Sequence, residues 1–240
     1  MLTYQSLRRR ASEFLALTGL TDKEFRELLP AFEAAWDERY PPDRTLTGHK
    51  RKRGPGGGRK SSLTTIEDKL LFALVYQKTY ALQVVQGQLF GMSQTSANEW
   101  IHRLLPLLLA ALDRLGVLPE REGEKVPARV KRQRASHHLV VDGTERRRQR
   151  PKNKEKQAQH YTGRRKAHTD KNVVLVERST RQVAFLSATH PGAVHDKRVA
   201  EEAQIRYPQG TCLDKDLGFA GYQPAVAELR EPKKSRASGN

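Results

Sequence analysis

Cysteine is almost missing: Cys212 stands alone among 240 residues, which excludes an internal disulfide and a thiolate zinc cluster. No motif around it would activate a thiolate, so it reads as a small buried apolar residue next to a strand. Long apolar runs are missing too. The longest, Leu104 to Leu112, has nine residues and contains Pro106, whereas a membrane-spanning helix needs about 20. The opening residues, MLTYQSLR, carry no apolar stretch behind basic residues and do not read as a secretory signal. A cytosolic protein without a membrane partner is the expectation. Acids are scarce: 27 Asp and Glu face 44 Lys and Arg, a net charge of +17. Such a surplus calls for a polyanion, and with no membrane segment in sight nucleic acid is the favoured one.

What is present divides into two parts, as the length of the chain suggests. Residues 1–48 read as an N-terminal helical segment. Thr21-Asp-Lys-Glu24 forms a capping box, and Phe25, Leu28, Leu29 and Phe32 recur at helical spacing. Pro30 is expected to break or kink that helix. This segment is a docking or dimer-forming unit at best, with no visible chemistry. Residues 49–61 read as a basic, glycine-rich linker, in which Lys50, Arg51, Lys52 and Arg53 could contact a phosphate backbone or simply be solvated.

Residues 62–117 carry three helical patterns: Ile66, Leu70 and Leu74; then Leu82, Val85 and Leu89; then Ala97, Trp100, Ile101 and Leu104. Gly91-Met-Ser93 between the last two supplies a left-handed residue and a helix cap, the grammar of a helix-turn-helix. If the third helix buries its apolar stripe, Gln94, Thr95, Asn98, Glu99 and His102 are left outward. In that geometry Gln94, Thr95, Asn98 and Arg103 can reach base edges in a DNA major groove. An ordinary three-helix core with a polar outer face is the competing reading; the basic flanks favour DNA.

Residues 118–136 read as a charged connector. Beyond it the pattern turns to strands: His137 to Glu145, a hairpin from Lys171–Ser179 and Arg181–Ser187, a helix from about His195 to Arg206, and a strand from Gly210 to Leu213 leading to Asp216. Carboxylates at two strand ends are compatible with a two-metal phosphoryl-transfer site, because Mg²⁺ takes oxygen ligands. A lone Asp at a strand end is more often a turn-former. Arg146 to Lys171 holds eleven cations and two acids and reads as a loop that either clamps a DNA backbone or is a disordered insertion.

The stretches VVDGTERRRQRPKNKEKQAQHYTGRRKAHT, ATHPGAVHDKR, YPQGTCLDKDLGFAGYQP and EPKK, in that order, resemble bacterial insertion-sequence transposases with an Asp-Asp-Glu (DDE) triad. The resemblance runs from about Ser62 to the end. It implies an α+β chain: an all-α helix-turn-helix domain followed by an incomplete RNase-H-like α/β domain with a mixed sheet, over residues 137–240. By the motifs of that family, Asp142 and Asp216 are the first two catalytic and metal-binding carboxylates, with Asp214 a rival two residues away. His195 and Asp196 are site-adjacent, or else cap the following helix. The family's third carboxylate, a Glu, lies beyond a Pro-Lys-Lys segment, and no position of this chain matches it, so truncation is expected; Glu228 and Glu231 precede that segment.

The resemblance further implies two Mg²⁺ (or Mn²⁺) ions. It implies double-stranded DNA partners, the element's inverted repeats and its target, and allows a homo-oligomer in a synaptic complex. It also implies a bacterial, nucleoid-associated location. Arg146, Arg147, Arg148, Arg164, Arg165 and Lys166 are the expected backbone contacts. Two alternatives stay open: a DNA-binding fragment without the third carboxylate (a frameshift product or decayed copy), and a helix-turn-helix transcription regulator.

Overall fold

The structure, a computed structural model, describes residues 1–45, 48–51, 61–132 and 137–232. Two compact units make up the chain, Met1–Val117 and Leu118–Asn240.

The regular elements among the described residues of the first unit are helices: α1 (Tyr4–Leu7), α2 (Ala11–Thr18), α3 (Asp22–Arg39), α4 (Ile66–Thr79), α5 (Gln83–Phe90) and α6 (Gln94–Arg114). The capping box forms as expected: Thr21 Oγ1 accepts from the Glu24 amide and the Glu24 carboxylate accepts from the Thr21 amide. Pro30 does not break α3, which runs unbroken to Arg39. A mid-helix proline costs roughly 3 kcal/mol. Phe25 and Leu28 before it, and Phe32 and Ala35 after it, are all buried. At about 1.5–3 kcal/mol for each large side chain, that burial outweighs the lost bond.

Residues 1–48 do not form a separate unit. Tyr4, Leu7, Phe14, Phe25 and Phe32 share one core with Leu70, Phe72, Phe90, Ile101 and Leu104. Helix α4 is its centre: Leu70 to Val75 are buried on every side, so the helix shows no one-sided pattern.

The expected face of α5 is the wrong one. Leu82, Val85 and Leu89 are exposed, whereas Gln86, Gly87 and Phe90 are buried. The amide of Gln86 donates to the Phe72 carbonyl at 3.0 Å, and Gly87 lies so close to the following turn that a Cβ there would stand 2.7 Å from the Met92 carbonyl oxygen. Backbone proximity, not side-chain apolarity, selected that face. The turn itself is as read: Gly91 is left-handed at φ 66° and Ser93 caps α6.

The second unit holds α7 (Val126–Arg132), β1 (His138–Arg147), α8 (Lys154–His160), β2 (Tyr161–Thr162), β3 (Ala167–Glu177), β4 (Val183–Leu186), β5 (His190–Pro191), α9 (Asp196–Glu202), β6 (Cys212–Lys215) and β7 (Glu228–Arg230). Its mixed sheet runs β2-β3-β1-β6-β7, with β4 and β5 also paired to β3. β1 is antiparallel to β3 and parallel to β6, which is parallel to β7. This is the α+β organisation and mixed sheet that the resemblance implies.

Several boundaries move. The connector is partly core, because Val126 and Val130 of α7 are buried with Leu139, Val173 and Leu213. Cys212 lies inside β6 and is half-exposed. The helix expected to reach Arg206 ends at Glu202.

The basic stretch from Arg146 to Lys171 is not a loop. β1 and β3 pair as far as Arg147↔Thr169, and α8 and β2 fill the connection between them. Asn153 caps α8 by accepting from the Glu155 and Lys156 amides, a local reason for a helix in so charged a segment.

Candidate metal centre and DNA-binding face

β1 reaches Arg147, so Asp142 does not end its strand. It lies where the parallel partner leaves. The register runs Val140↔Asp214 and Val141↔Lys215, and there β6 stops. Leu139, Val141, Leu213 and Lys215 are buried on one face, which puts Asp142 and Asp216 on the other, each one residue past the last pair. Clefts outside the carboxyl ends of parallel strands are where open sheets bind ligands.

Asp142 Oδ1 accepts from the Gly143 amide at 2.7 Å and Asp216 Oδ1 from the Gly218 amide at 2.9 Å. Among the described residues neither Oδ2 accepts a hydrogen bond. Two exposed carboxylates, each with an oxygen to spare and both hard donors, fit a divalent cation.

Asp214 is differently placed. Its Oδ2 lies 3.0 Å from His138 Nε2 and also bonds the Arg178 guanidinium. Burial alone would raise its carboxyl, but the His138 hydrogen bond and Arg178 outweigh it and hold it below the ordinary value. His138, Cys212 and Asp214 bring ligand-type atoms within 4.8 Å of one another. Arg178 already neutralises that group, and burial pushes the Cys212 thiol up.

His195 caps α9, its Nδ1 accepting from the Lys197 amide at 3.3 Å. Asp196 instead reaches the sheet: a Cβ on Gly143 would stand 2.6 Å from Asp196 Oδ1, and one on Gly218 3.0 Å from Asp196 Oδ2. Behind it lies Lys171, its side chain 7% exposed, 3.0 Å from Asp196 Oδ1 and 3.6 Å from Glu145 Oε1. Lys171 falls outside the sequence motifs, and Glu145 enters only as the last residue of Asp142-Gly-Thr-Glu145, with no role assigned to it. The signal was period two: Thr169, Lys171, Val173, Leu175 and Glu177 are all buried on one face of β3, so a lysine in that series needed a partner.

Residues 141–235 match the family model "DDE superfamily endonuclease", and residues 61–113 match "Helix-turn-helix of DDE superfamily endonuclease". The chain belongs to the DDE superfamily. No curated protein and no solved structure matches it. A DDE endonuclease domain implies divalent metal, and the two domains together give a transposase-type DNA-binding and DNA-cleaving function. Among the described residues no helix is long and apolar enough to cross a membrane.

On the helix-turn-helix of this DDE endonuclease, Gln94, Thr95 and Arg103 are exposed along α6. Arg103 lies over the Trp100 ring and 3.7 Å from Glu99. Asn98 is half-buried and accepts from Gln83 Nε2 at 2.8 Å. A cleft beside this face is shared with the end of α3, where Arg39 and the capping residue Tyr40 line it with Asn98, His102 and Arg103. The linker residues Lys50 and Arg51 fold back on the chain, Lys50 bridging to Arg44 and Arg51 Nε donating to the Arg44 carbonyl. Lys52 and Arg53 lie outside the described residues.

Of the basic residues on the β1–β3 ribbon, Arg146 donates to Asn172 and Arg148 pairs with Asp170. Arg147, Arg164, Arg165 and Lys166 are exposed and have no ion-pair partner among the described residues.

Proposed function

We propose that this chain is a transposase that binds the terminal inverted repeats of its element through α5 and α6, cleaves a phosphodiester at the ends, and joins the freed 3′-hydroxyl to target DNA. The observation that supports the reading is the β1–β6 register, which leaves Asp142 and Asp216 each one residue past the last parallel pair. Asp142 and Asp216 would hold Mg²⁺ (or Mn²⁺), which supplies stabilisation of the attacking and leaving oxygens of the displacement. Asp214, committed to His138 and Arg178, is not the second ligand in this reading.

Arg147, Arg164, Arg165 and Lys166 hold the DNA backbone without reading sequence. Gln94, Thr95, Asn98 and Arg103 supply the directed contacts to bases. Joining two ends calls for two copies in one synaptic complex, and the setting in which such an element is mobilised is the bacterial nucleoid.

The test is cleavage of end-containing DNA with Mg²⁺, comparing the intact chain with Asp142→Asn and Asp216→Asn. Cleavage lost in both variants supports the reading. End-specific binding with no cleavage by the intact chain would leave a DNA-binding module, and binding without preference for ends would remove the base-reading role.

A further inference from the structure

Asp196 packs against the backbone beside both carboxylates of the candidate metal centre. Its Oδ1 would stand 2.6 Å from a Cβ on Gly143 of β1 and its Oδ2 3.0 Å from one on Gly218, each glycine the residue whose amide serves Asp142 or Asp216. It is held there by a buried cation. Lys171 Nζ donates to the Val194 carbonyl at 2.8 Å and stands 3.0 Å from Asp196 Oδ1. On its other side it lies 3.6 Å from Glu145, which accepts from Thr162 and Thr169.

Asp196 Oδ1 is shielded from water and has no aligned hydrogen bond among the described residues, so the contact with Lys171 is one of charge rather than of direction. Such a set is a poor device for stability, because desolvating three ionised groups offsets most of their attraction. It fixes a position well. Residues that orient metal ligands from behind change metal affinity without touching the ion.

We propose that Asp196, braced by Lys171 and Glu145, is a positioning residue that sets the spacing of Asp142 and Asp216. Gly143 is a glycine because this carboxylate occupies the space of a side chain there, and at Gly218 it crowds that space together with Asp216 Oδ1, each 3.0 Å from where a Cβ would stand. This rests on the reading of Asp142 and Asp216 as metal ligands.

The experiment is Mn²⁺ titration of the full chain, followed by the electron paramagnetic resonance of free Mn²⁺, with binding to end-containing DNA as a check on folding. Asp196→Asn is expected to weaken Mn²⁺ about 10- to 100-fold. Gly143→Ala should weaken it too by displacing the carboxylate, and should add nothing in an Asp196→Ala background, where its steric partner is gone. That non-additivity is a result that general loss of packing would not give, and it survives even if Asp196→Asn folds poorly. Wild-type affinity in Asp196→Asn, or full additivity with Gly143→Ala, overturns the inference while Asp142→Asn still abolishes binding. Unchanged binding in Asp142→Asn overturns the underlying metal reading itself.

Discussion

The side-chain amide of Gln83 donates to Asn98 Oδ1 at 2.8 Å, tying the first residue of α5 to the outer side of α6. The bond uses the acceptor of Asn98 and leaves its two N–H donors to point elsewhere. If Asn98 reads a base, Gln83 decides how. Replacing Gln83 with Ala should lower affinity for end-containing DNA by about fivefold, the worth of one hydrogen bond near 1 kcal/mol. Affinity for random duplex should stay unchanged. Fluorescence anisotropy on both duplexes measures the ratio; equal losses on both would show that Gln83 serves only the fold.

Asp214 and Asp216 are two residues apart and should behave oppositely. Asp214→Asn is expected to keep metal-dependent cleavage while losing about 1 kcal/mol of stability, because His138 and Arg178 lose a charged partner. Asp216→Asn should keep stability and lose cleavage. Parallel cleavage and urea-unfolding measurements would expose a reversed assignment.

Gly87→Ala tests the helix-turn-helix turn. The added Cβ meets the Met92 carbonyl at 2.7 Å and the Ser93 carbonyl at 3.2 Å, both backbone atoms that cannot swing away. A destabilisation of about 1–3 kcal/mol is expected for such overpacking. Trp36 and Trp100 both lie in the first unit, so tryptophan fluorescence reports its unfolding alone. An unchanged urea midpoint would mean that the turn is looser than the structure has it.

The Tyr207 hydroxyl lies 3.1 Å from that of Tyr222. Burial, then the Tyr222 neighbour, pushes the Tyr207 phenol far above its ordinary value of 10.0. A group whose folded-state value is raised contributes stability that is complete below the unfolded value and is lost as pH climbs past it. The second unit should therefore weaken above about pH 10, and Tyr207→Phe should flatten that decline while costing about 1 kcal/mol at neutral pH. Urea unfolding by far-ultraviolet circular dichroism from pH 8 upward checks it; parallel curves for the two proteins would contradict it.

Arg164, Arg165 and Lys166 sit exposed in the turn between β2 and β3. Each phosphate contact contributes about 0.9 to the slope of log affinity against log salt. Changing all three to Ala should reduce that slope by up to about 3, equally for end-containing and random DNA. A slope that does not move would place the backbone contacts elsewhere.

The chain's own letters determined the helix-turn-helix, the Thr21 capping box, the β3–β4 hairpin and the candidate pair Asp142 and Asp216, because each is a local matter of spacing, caps or motif. Tertiary structure decided the rest. The packed side of α5 follows from how closely Gly87 approaches the next turn, and Pro30 is carried through α3 by aromatic burial on either side of it. Asp214, inside β6, is set apart from Asp216, one residue past it, by what faces it: His138 from β1 and Arg178 just past β3. Lys171 joins Asp196 across 25 residues of sequence, at 3.0 Å. A strand pattern can mark such a lysine as buried, but only the sheet with its covering helix supplies the charge that makes burial tolerable.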